Sequence, residues 1–523
     1  MIRIRDIALP PEHNPHQLNY EAAQLLKVSN SKIRQVRIVR RSVDARKKPD
    51  VKVIYTIEVA VDGNEAKILR NSGCKRASIA RNEYYKPPKQ KLECDSRPVV
   101  IGFGPAGMFC ALILAMAGLK PIVLERGEDA ESRHEKVQQF FATGKLDTRS
   151  NVQFGEGGAG TFSDGKLNTG VNNPRIGWVL DQMVKFGARE DILYDAKPHV
   201  GTDVLLTVVQ NLRKRVIALG GEVRFNSQVT GLRMENGSLT GLEVNGSELL
   251  PCDRAVLAIG HSARDTFEML LANEIPMEPK AFAMGARIEH KQSMVNEAQY
   301  GQDNPALPPA DYKLVQHLDE KSVYTFCMCP GGYVVAAASE EGRVVTNGMS
   351  YADRAGENAN AALLVTVNPR DLPGEGPLAG MDWQREIEEA AFRVSGDYKA
   401  PAQKVGDFLA GIPSTGPGSV EPTYRPGVAW CDLHSVLPEK LTAPLKDALP
   451  LLEGNLKGFA DPDAVLTAPE TRSSSPVRII RDESRQGGLM GLYPTGEGAG
   501  YAGGIMSAAL DGIQTAEAII GNY

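Results

Sequence analysis

The sequence predicts an α/β protein in which a Rossmann-type dinucleotide-binding domain carries an inserted α+β second domain and follows an N-terminal ferredoxin-like α+β domain. Three observations predict it. At 523 residues the chain is too long for one compact core and implies two or three domains. Its first segment alternates as strand, helix, strand, strand, helix. From Pro98 an apolar strand, a glycine turn, an apolar helix and a second strand follow one another, and the C-terminal segment returns to strand, glycine loop and helix. The boundaries read as 1–92 for the small domain, 96–278 for the dinucleotide domain, completed by 476–523, and 279–475 for the insertion.

In the small domain, Met1–Leu9 alternates as a strand, and Asn14–Lys27 has helical spacing in Leu18, Ala22, Leu25 and Leu26. IRQVRIVRRSV and VKVIYTIEVAV are two further strands, Ile33–Val43 and Val51–Val61, and a short helix is expected near Asn64–Asn71. Pro87, Pro88 and the polar KQKLECDSRP form a linker. Beyond it, Val204–Leu219 predicts an amphipathic helix, and Glu222–Phe225, Leu239–Val244 and Arg254–Ile259 predict strands. Residues 281–370 are strand-rich, and helical patterns cover Asp382–Ser395, Ala400–Ala410 and Leu433–Leu452.

Composition narrows the class. Hydrophobic content of 42% and charged content of 24% are those of a globular protein, and the longest apolar run, Met108 to Leu119, is too short to span a bilayer. The opening MIRIRDIALPPEH has arginines without an apolar stretch behind them, which argues against a secretory signal. The seven cysteines are odd in number and scattered, which fits a reducing, cytoplasmic setting. Residues 1–95 carry 20 Lys and Arg against 11 Asp and Glu, a charge of +9, which leaves −14 on the rest of a chain whose net charge is −5. A basic module joined to an acidic body raises two partners, RNA and an acidic electron-carrier protein, beside a small-molecule substrate; the lack of interleaved aromatics disfavours RNA.

The strongest motif is PVVIGFGPAGMFCALILAMAGLKPIVLERG. Gly102 permits a tight turn, Gly104 lets backbone approach a pyrophosphate, and Gly107 lets helix and strand pack closely. Pro105 and Ala106 open a helix whose N-terminus presents free N–H groups to an anion. Glu125 ends the second strand 21 residues after Gly104, where its carboxylate accepts from ribose hydroxyls and disfavours a 2′-phosphate; Arg126 stands beside it. Two other glycine loops choose between NAD and FAD. GEGGAGTFSDGKL supplies Gly158, Gly160, Thr161 and Lys166 to back a flavin and its phosphates, and GEGAGYAGG sets a helix N-terminus where a flavin ring would sit. A single NAD site leaves both loops unexplained. FAD accounts for them, and no metal pattern is present.

The segment 98–127 looks like the FAD-binding signature of the glutathione-reductase-type flavoproteins. DRAVLAIGHSARD resembles the strand and glycine turn of that superfamily, with Ile259 in place of the usual threonine before Gly260. YPTGEGAGYAGGIMSAALDGIQTAEAI resembles its C-terminal ribityl-binding segment and implies a cofactor role for Gly496, Glu497, Gly503, Gly504 and Ile505, Glu497 standing where an aspartate is commoner. With KPHVGTD, RIEHKQ, FCMCPGG and TNGMS added, nearly the whole chain is similar to a bacterial family of uncharacterised FAD-dependent dehydrogenases. The resemblance implies redox chemistry and supplies no substrate.

Four residues are candidates for that chemistry. On a strand, Cys327 and Cys329 point the same way and offer a redox thiol pair, against a reading as small buried hydrophobes. His290 is a candidate proton carrier, and Arg472 a holder of an anionic substrate. Arg287 and Glu289 read as a surface ion pair on the same strand, His261 as a loop histidine at a sheet edge, and His199 as a minor cap near the helix that starts at Asp203. An RNA-modifying flavoprotein and a flavin-binding interaction protein without turnover are the rival functions.

Overall fold

The computed structural model describes residues 1–14, 16–81, 84–88, 92 and 96–521. Much of the linker at 89–95, with Cys94, lies outside them. The strands Ile2–Leu9, Ile33–Asp44, Lys52–Val61 and Ala77–Ile79 form one antiparallel sheet in the order 33–44, 52–61, 2–9, 77–79. Helices Gln17–Leu26 and Glu65–Ser72 accompany it. Leu18, Ala22, Ile57 and Val59 share its core. Asn64 caps the second helix by accepting from Lys67 N at 3.0 Å, where the sequence places its start, and Gly73 ends it in the left-handed region, just beyond the expected end at Asn71.

A five-stranded parallel sheet follows, in the order Leu492–Pro494, Ala255–Leu257, Val99–Ile101, Ile122–Leu124, Glu222–Arg224. The helix Pro105–Met116 is buried on nearly every side, because it lies between this sheet and helices Thr202–Ala218 and Ile505–Gly521. An apolar helix with no polar face is the sequence counterpart of that position.

The third sheet has seven strands, ordered 315–317, 322–329, 358–367, 282–291, 465–470, 400–404, 428–430. Helices Ala379–Ser395 and Glu439–Asn455 pack on it. The expectation of a helix over Ala400–Ala410 is corrected: Ala400–Lys404 is a strand and only Val405–Ala410 is helical. Ala400, Pro401, Ala402 and Gln403 are buried between neighbouring strands, and ladder pairing there overrides a helical pattern. Among the described residues, no helix is long and apolar enough to cross a membrane, and Cys74, Cys110, Cys252, Cys327, Cys329 and Cys431 are unbridged.

Candidate active site

One elongated cavity, about 1750 Å³ with its open mouth included, runs from the first glycine turn to the seven-stranded sheet. Its first end is built from backbone. A Cβ at Gly102 would stand 2.4 Å from Ala258 O, and one at Gly107 only 2.0 Å from Gly102 O, so both positions exclude any side chain. Gly104 is different: its Cβ would meet nothing nearer than Gly158 Cα at 3.7 Å, so packing does not demand glycine there. Gly104 is the N-cap of the helix and has no side chain, Pro105 has no N–H, and Ala106, in a first turn without a side-chain cap, lines the cavity.

Glu125 lies at this end, buried, and its carboxylate already accepts from three backbone amides: Phe103 N at 2.8 Å, Gly127 N at 2.9 Å and Gly155 N at 3.0 Å. A carboxylate offers about four acceptor sites, which leaves one for a ribose hydroxyl rather than a bidentate grip. Arg126 lines the wall, donates to both oxygens of Asp265 at 3.0 and 3.2 Å, and stacks 4.4 Å over the Phe154 ring.

The loop 151–160 covers the turn, and sequence reasoning missed what holds it. Arg133, on the helix Ala130–Thr143, is wholly buried and donates to five carbonyls, those of Asn151, Val152, Gly155, Glu156 and Gly158, at 2.6–3.3 Å. Five donors in a fixed fork meet five acceptors, so the guanidinium acts as a rigid template for the loop. Burial lowers its pKa to about 10, and the carboxylates of Glu125 and Glu156 oppose the drop, so it stays charged at neutral pH. Gly158 and Gly160 line the cavity, whereas Thr161 is buried behind it, its hydroxyl 3.4 Å from Glu156 O. Thr161 therefore shapes the loop and does not reach a ligand.

The C-terminal loop closes the other long side. Glu497, Gly503, Gly504 and Ile505 line the cavity together with Gly260. Nothing lies within 4 Å of a Cβ built at Gly260, Gly503 or Gly504, so these glycines leave room. Gly496 sits behind them, donating its N–H to Asp511 at 2.8 Å, and Gly107 and Gly496 shape the cavity without lining it. Gly512 is a second residue the sequence reading missed. A Cβ there would stand 2.1 Å from Ala106 O, so the helix Ile505–Gly521 reaches the first glycine turn only because position 512 has no side chain. His261 also lines the cavity, with Nδ1 3.4 Å from Glu497 and a buried Nε2 that has no hydrogen-bond partner among the described residues. Orphan amides, vacated glycine positions and a spare imidazole nitrogen fit a long ligand with phosphates at its middle.

The far end is walled by side chains of the seven-stranded sheet. Arg287 is wholly buried and bonds both oxygens of Glu470 at 2.9 Å, so the expected surface pairing of Arg287 with Glu289 is overturned. Glu289 is buried as well, accepting from Asn358 at 3.3 Å and from Thr423, and burial pushes its pKa up to about 7. Strands on either side bury the face that the sequence pattern reads as solvated. Cys327, Asn347, Glu470 and Arg472 line the cavity. Arg287 also donates to Cys327 O at 3.0 Å and Asn347 Oδ1 at 2.9 Å.

The expectation that Cys327 and Cys329 project alike from a regular strand is corrected. The register shifts between Phe326 and Cys329, and Cys327 takes a left-handed φ of 42°. A β-bulge with a non-glycine residue in that region is a device for re-aiming a side chain. Cys329 is buried and its thiol donates to Cys327 O at 3.2 Å. Hydrogen bonding from Cys329 holds the Cys327 thiol well below its ordinary value, with Lys166 and Arg287 adding to it, while Cys329 is pushed far up. Lys166 does not reach toward a phosphate; it binds Asp164 at 2.9 Å and the Met328 carbonyl, at the sulfur end of the cavity.

Arg472 lines the cavity with its charge already engaged. It shares Glu388 with Arg264, at 2.9–3.1 Å and 2.8 Å, and donates to Ser339 at 2.6 Å. His290 stands apart from the cavity, its Nε2 2.8 Å from Phe459 O and its ring against Tyr312 and Phe459. Burial lowers its pKa to about 4, so it is a neutral core histidine and not a proton carrier. His199 meets Ala352 O at 3.1 Å and caps no helix; Gly201 is the N-cap of Thr202–Ala218.

Residues 281–473 match the family described as FAD-dependent protein, C-terminal domain-like, and residues 1–60 match a domain of unknown function. An uncharacterised protein of Clostridium beijerinckii (strain ATCC 51743 / NCIMB 8052) is 47% identical over 100% of this chain and 99% of its own. Solved structures with a similar course include CtdE in complex with FAD, at 11% identity over 82% of this chain and 84% of that one, TM-score 0.34. Glycine oxidase from Bacillus cereus ATCC 14579 is another, at 12% identity over 82% and 98%, TM-score 0.32. At such scores neither carries an argument about activity. The FAD-dependent description of the matched segment agrees with the dinucleotide-shaped cavity, and FAD is the cofactor. The chain belongs to the same family as the Clostridium beijerinckii protein.

Proposed function

We propose that this protein is an FAD-dependent oxidoreductase of the dehydrogenase kind, on a Rossmann-type FAD-binding domain (96–278 with 476–523), a substrate-facing inserted domain (279–475) and a ferredoxin-like basic domain (1–92). The observation that carries this reading is the single cavity that joins the backbone cradle at Gly104 to the charged wall at Cys327. FAD, when bound, supplies two-electron redox chemistry. The residues of the chain position its parts. Gly102, Gly104, Pro105 and Ala106 take the pyrophosphate, Glu125 the ribose, Gly158 and Gly160 the opposite face, and Glu497, Gly503, Gly504 and Ile505 the ribityl chain.

At the other end Cys327 is the proposed thiolate facing the substrate, with Cys329 beside it and bonded to its carbonyl oxygen. Lys166 supplies positive charge at that end, and Arg472 closes the wall. An organic substrate or an electron-carrier protein delivers electrons there, in a cytoplasmic setting.

The test is purification without added cofactor, followed by denaturation and identification of the released nucleotide. FAD in near-equimolar amount is expected. Release of NAD, or of no nucleotide, overturns the proposal. Anaerobic mixing with candidate reductants then separates an enzyme from a flavin-binding protein without turnover, because only an enzyme's flavin bleaches at a useful rate.

A further inference from the structure

The basic sheet of residues 1–81 has an organised open face. Side chains at even positions of Lys52–Val61 point away from its own helices. Glu58 is buried there and sits in a row across three strands, with Arg37 on one side and Arg3 on the other; Arg3 donates to it at 2.6 and 3.1 Å, and Arg37 is bound to it as well. Two residues along the same strand the next row reads Arg40, Thr56, Arg5. Arg40 pairs with Thr56 in register, and Arg5 lies in the bulge between Ile4 and Ile7, opposite the same stretch. The acid that neutralises the first row is a threonine in the second. Among the described residues neither Arg5 nor Arg40 has a carboxylate partner.

This second row forms one wall of a groove of about 1040 Å³, open solvent included. The facing wall is mostly apolar, with Leu167, Ile176 and Leu180 beside the polar Asn168, Thr169 and Asp195. The Arg41–Asp195 pair, at 2.6 and 2.8 Å, pins the sheet edge to the facing segment beside the groove. Asn168 borders both this groove and the flavin cavity, and two residues before it Lys166 stands at the sulfur end of that cavity. The space is of small-molecule size, one wall carries two guanidinium groups that have no carboxylate partner among the described residues, the acid of the lining, Asp195, is bound to Arg41, and most of the other wall is hydrocarbon.

We infer that the groove between the basic sheet and Leu167–Leu180 binds the anionic, apolar tail of the substrate, whose oxidisable end passes Asn168 into the flavin cavity. The ligand class is an amphipathic anion, a carboxylate or phosphate on an aliphatic or aromatic body. This rests on the oxidoreductase reading only for the word substrate; the binding of the anion stands on the groove alone.

Calorimetry on the FAD-loaded full chain tests it, with decanoate as the probe, decanol as its uncharged counterpart, and the flavin absorbance recorded in parallel. Decanoate is expected to bind more tightly than decanol and to shift the flavin bands. The double variant R5Q/R40Q, and separately T56E, which restores to this row the acid of its neighbour, are expected to weaken decanoate roughly tenfold or more while leaving decanol unchanged. R5Q/R40Q alters exposed side chains, so it remains informative if T56E does not fold. Equal decanoate affinity in wild type and R5Q/R40Q overturns the anion site. Binding that leaves the flavin bands unmoved overturns the link to the flavin cavity. A single-stranded RNA that displaces decanoate at physiological salt overturns the small-molecule assignment. Loss of FAD on purification sinks the oxidoreductase reading, and decanoate titrated into the FAD-free wild type and R5Q/R40Q then still decides the anion site, so the two failures are distinct.

Discussion

At the nucleotide end of the cavity the wall is main chain, shaped by positions that cannot carry a side chain: Gly102, Gly107 and Gly512. At the far end the wall is side chain, shaped by buried ions: Arg287 with Glu470, Arg264 and Arg472 with Glu388, Lys166 with Asp164. A backbone wall presents fixed dipoles whatever the pH, and it suits a constant cofactor. An ionic wall sets the protonation of its neighbours, and it suits chemistry. Burial opposes the ionisation of Glu388 and of Asp164, and the flanking cations reverse that in both, so the charges persist only as matched sets.

Breaking one set is expected to have the largest effect. Arg287→Met leaves Glu470 without its partner and should cost about 3–5 kcal/mol in denaturant unfolding, whereas the double variant R287M/E470M should recover most of it. If the single and double variants are equally stable, the far wall is not held by that pair.

At the other end two glycines of one motif differ in what surrounds them. Gly107→Ala drives a methyl into Gly102 O and should cost about 1–3 kcal/mol of stability. Gly104→Ala meets only ordinary contact and should change stability by less than about 0.5 kcal/mol while weakening FAD retention at least about tenfold. A G104A protein that keeps FAD as tightly as wild type removes the pyrophosphate from that site.

Smaller effects concern protonation. Because Cys329 holds the Cys327 thiol well down, Cys327 should remain thiolate and react with iodoacetamide at pH 6, where Cys252 and Cys431, pushed up by burial, do not. Peptide mapping of the labelled protein reads this, and C329A should raise the pKa and slow labelling about tenfold. Glu289 has the opposite sign. Its pKa is raised to about 7 by burial, so the stability it gives is complete below pH 4.5 and is lost as pH rises through 7. Stability measured from pH 5 to 8 should therefore fall less steeply in E289Q than in wild type.

Legibility followed the same division. Gly102, Gly104, Gly107 and Glu125 stand within one strand, turn, helix and strand, so their spacing alone identifies the turn. Gly512 is as necessary to that turn, but its constraint is the carbonyl of Ala106, 406 residues earlier in the chain, and one glycine in a helix carries no signal of it. Arg133 reads as any polar helix residue until the loop 151–158 folds around it. The strand alternation of Phe282–Lys291 is clear in the sequence, yet which face is wet is not, and Arg287, Glu289 and His290 all proved buried.

The sequence by itself determined most of the strand and helix order (though not the strand at Ala400–Lys404), the glycine turn and, through the acid at 125 and the two further glycine loops, an adenine dinucleotide with a flavin. These are local matters, settled by backbone conformations that only glycine or proline permits and by periodicities of two and 3.6 residues. The tertiary structure alone decided which charges meet. Arg287 and Glu470 are 183 residues apart, and Arg264 and Glu388 are 124 apart. No spacing rule joins such pairs, because their attraction acts only after the sheets have packed and driven out the water between them.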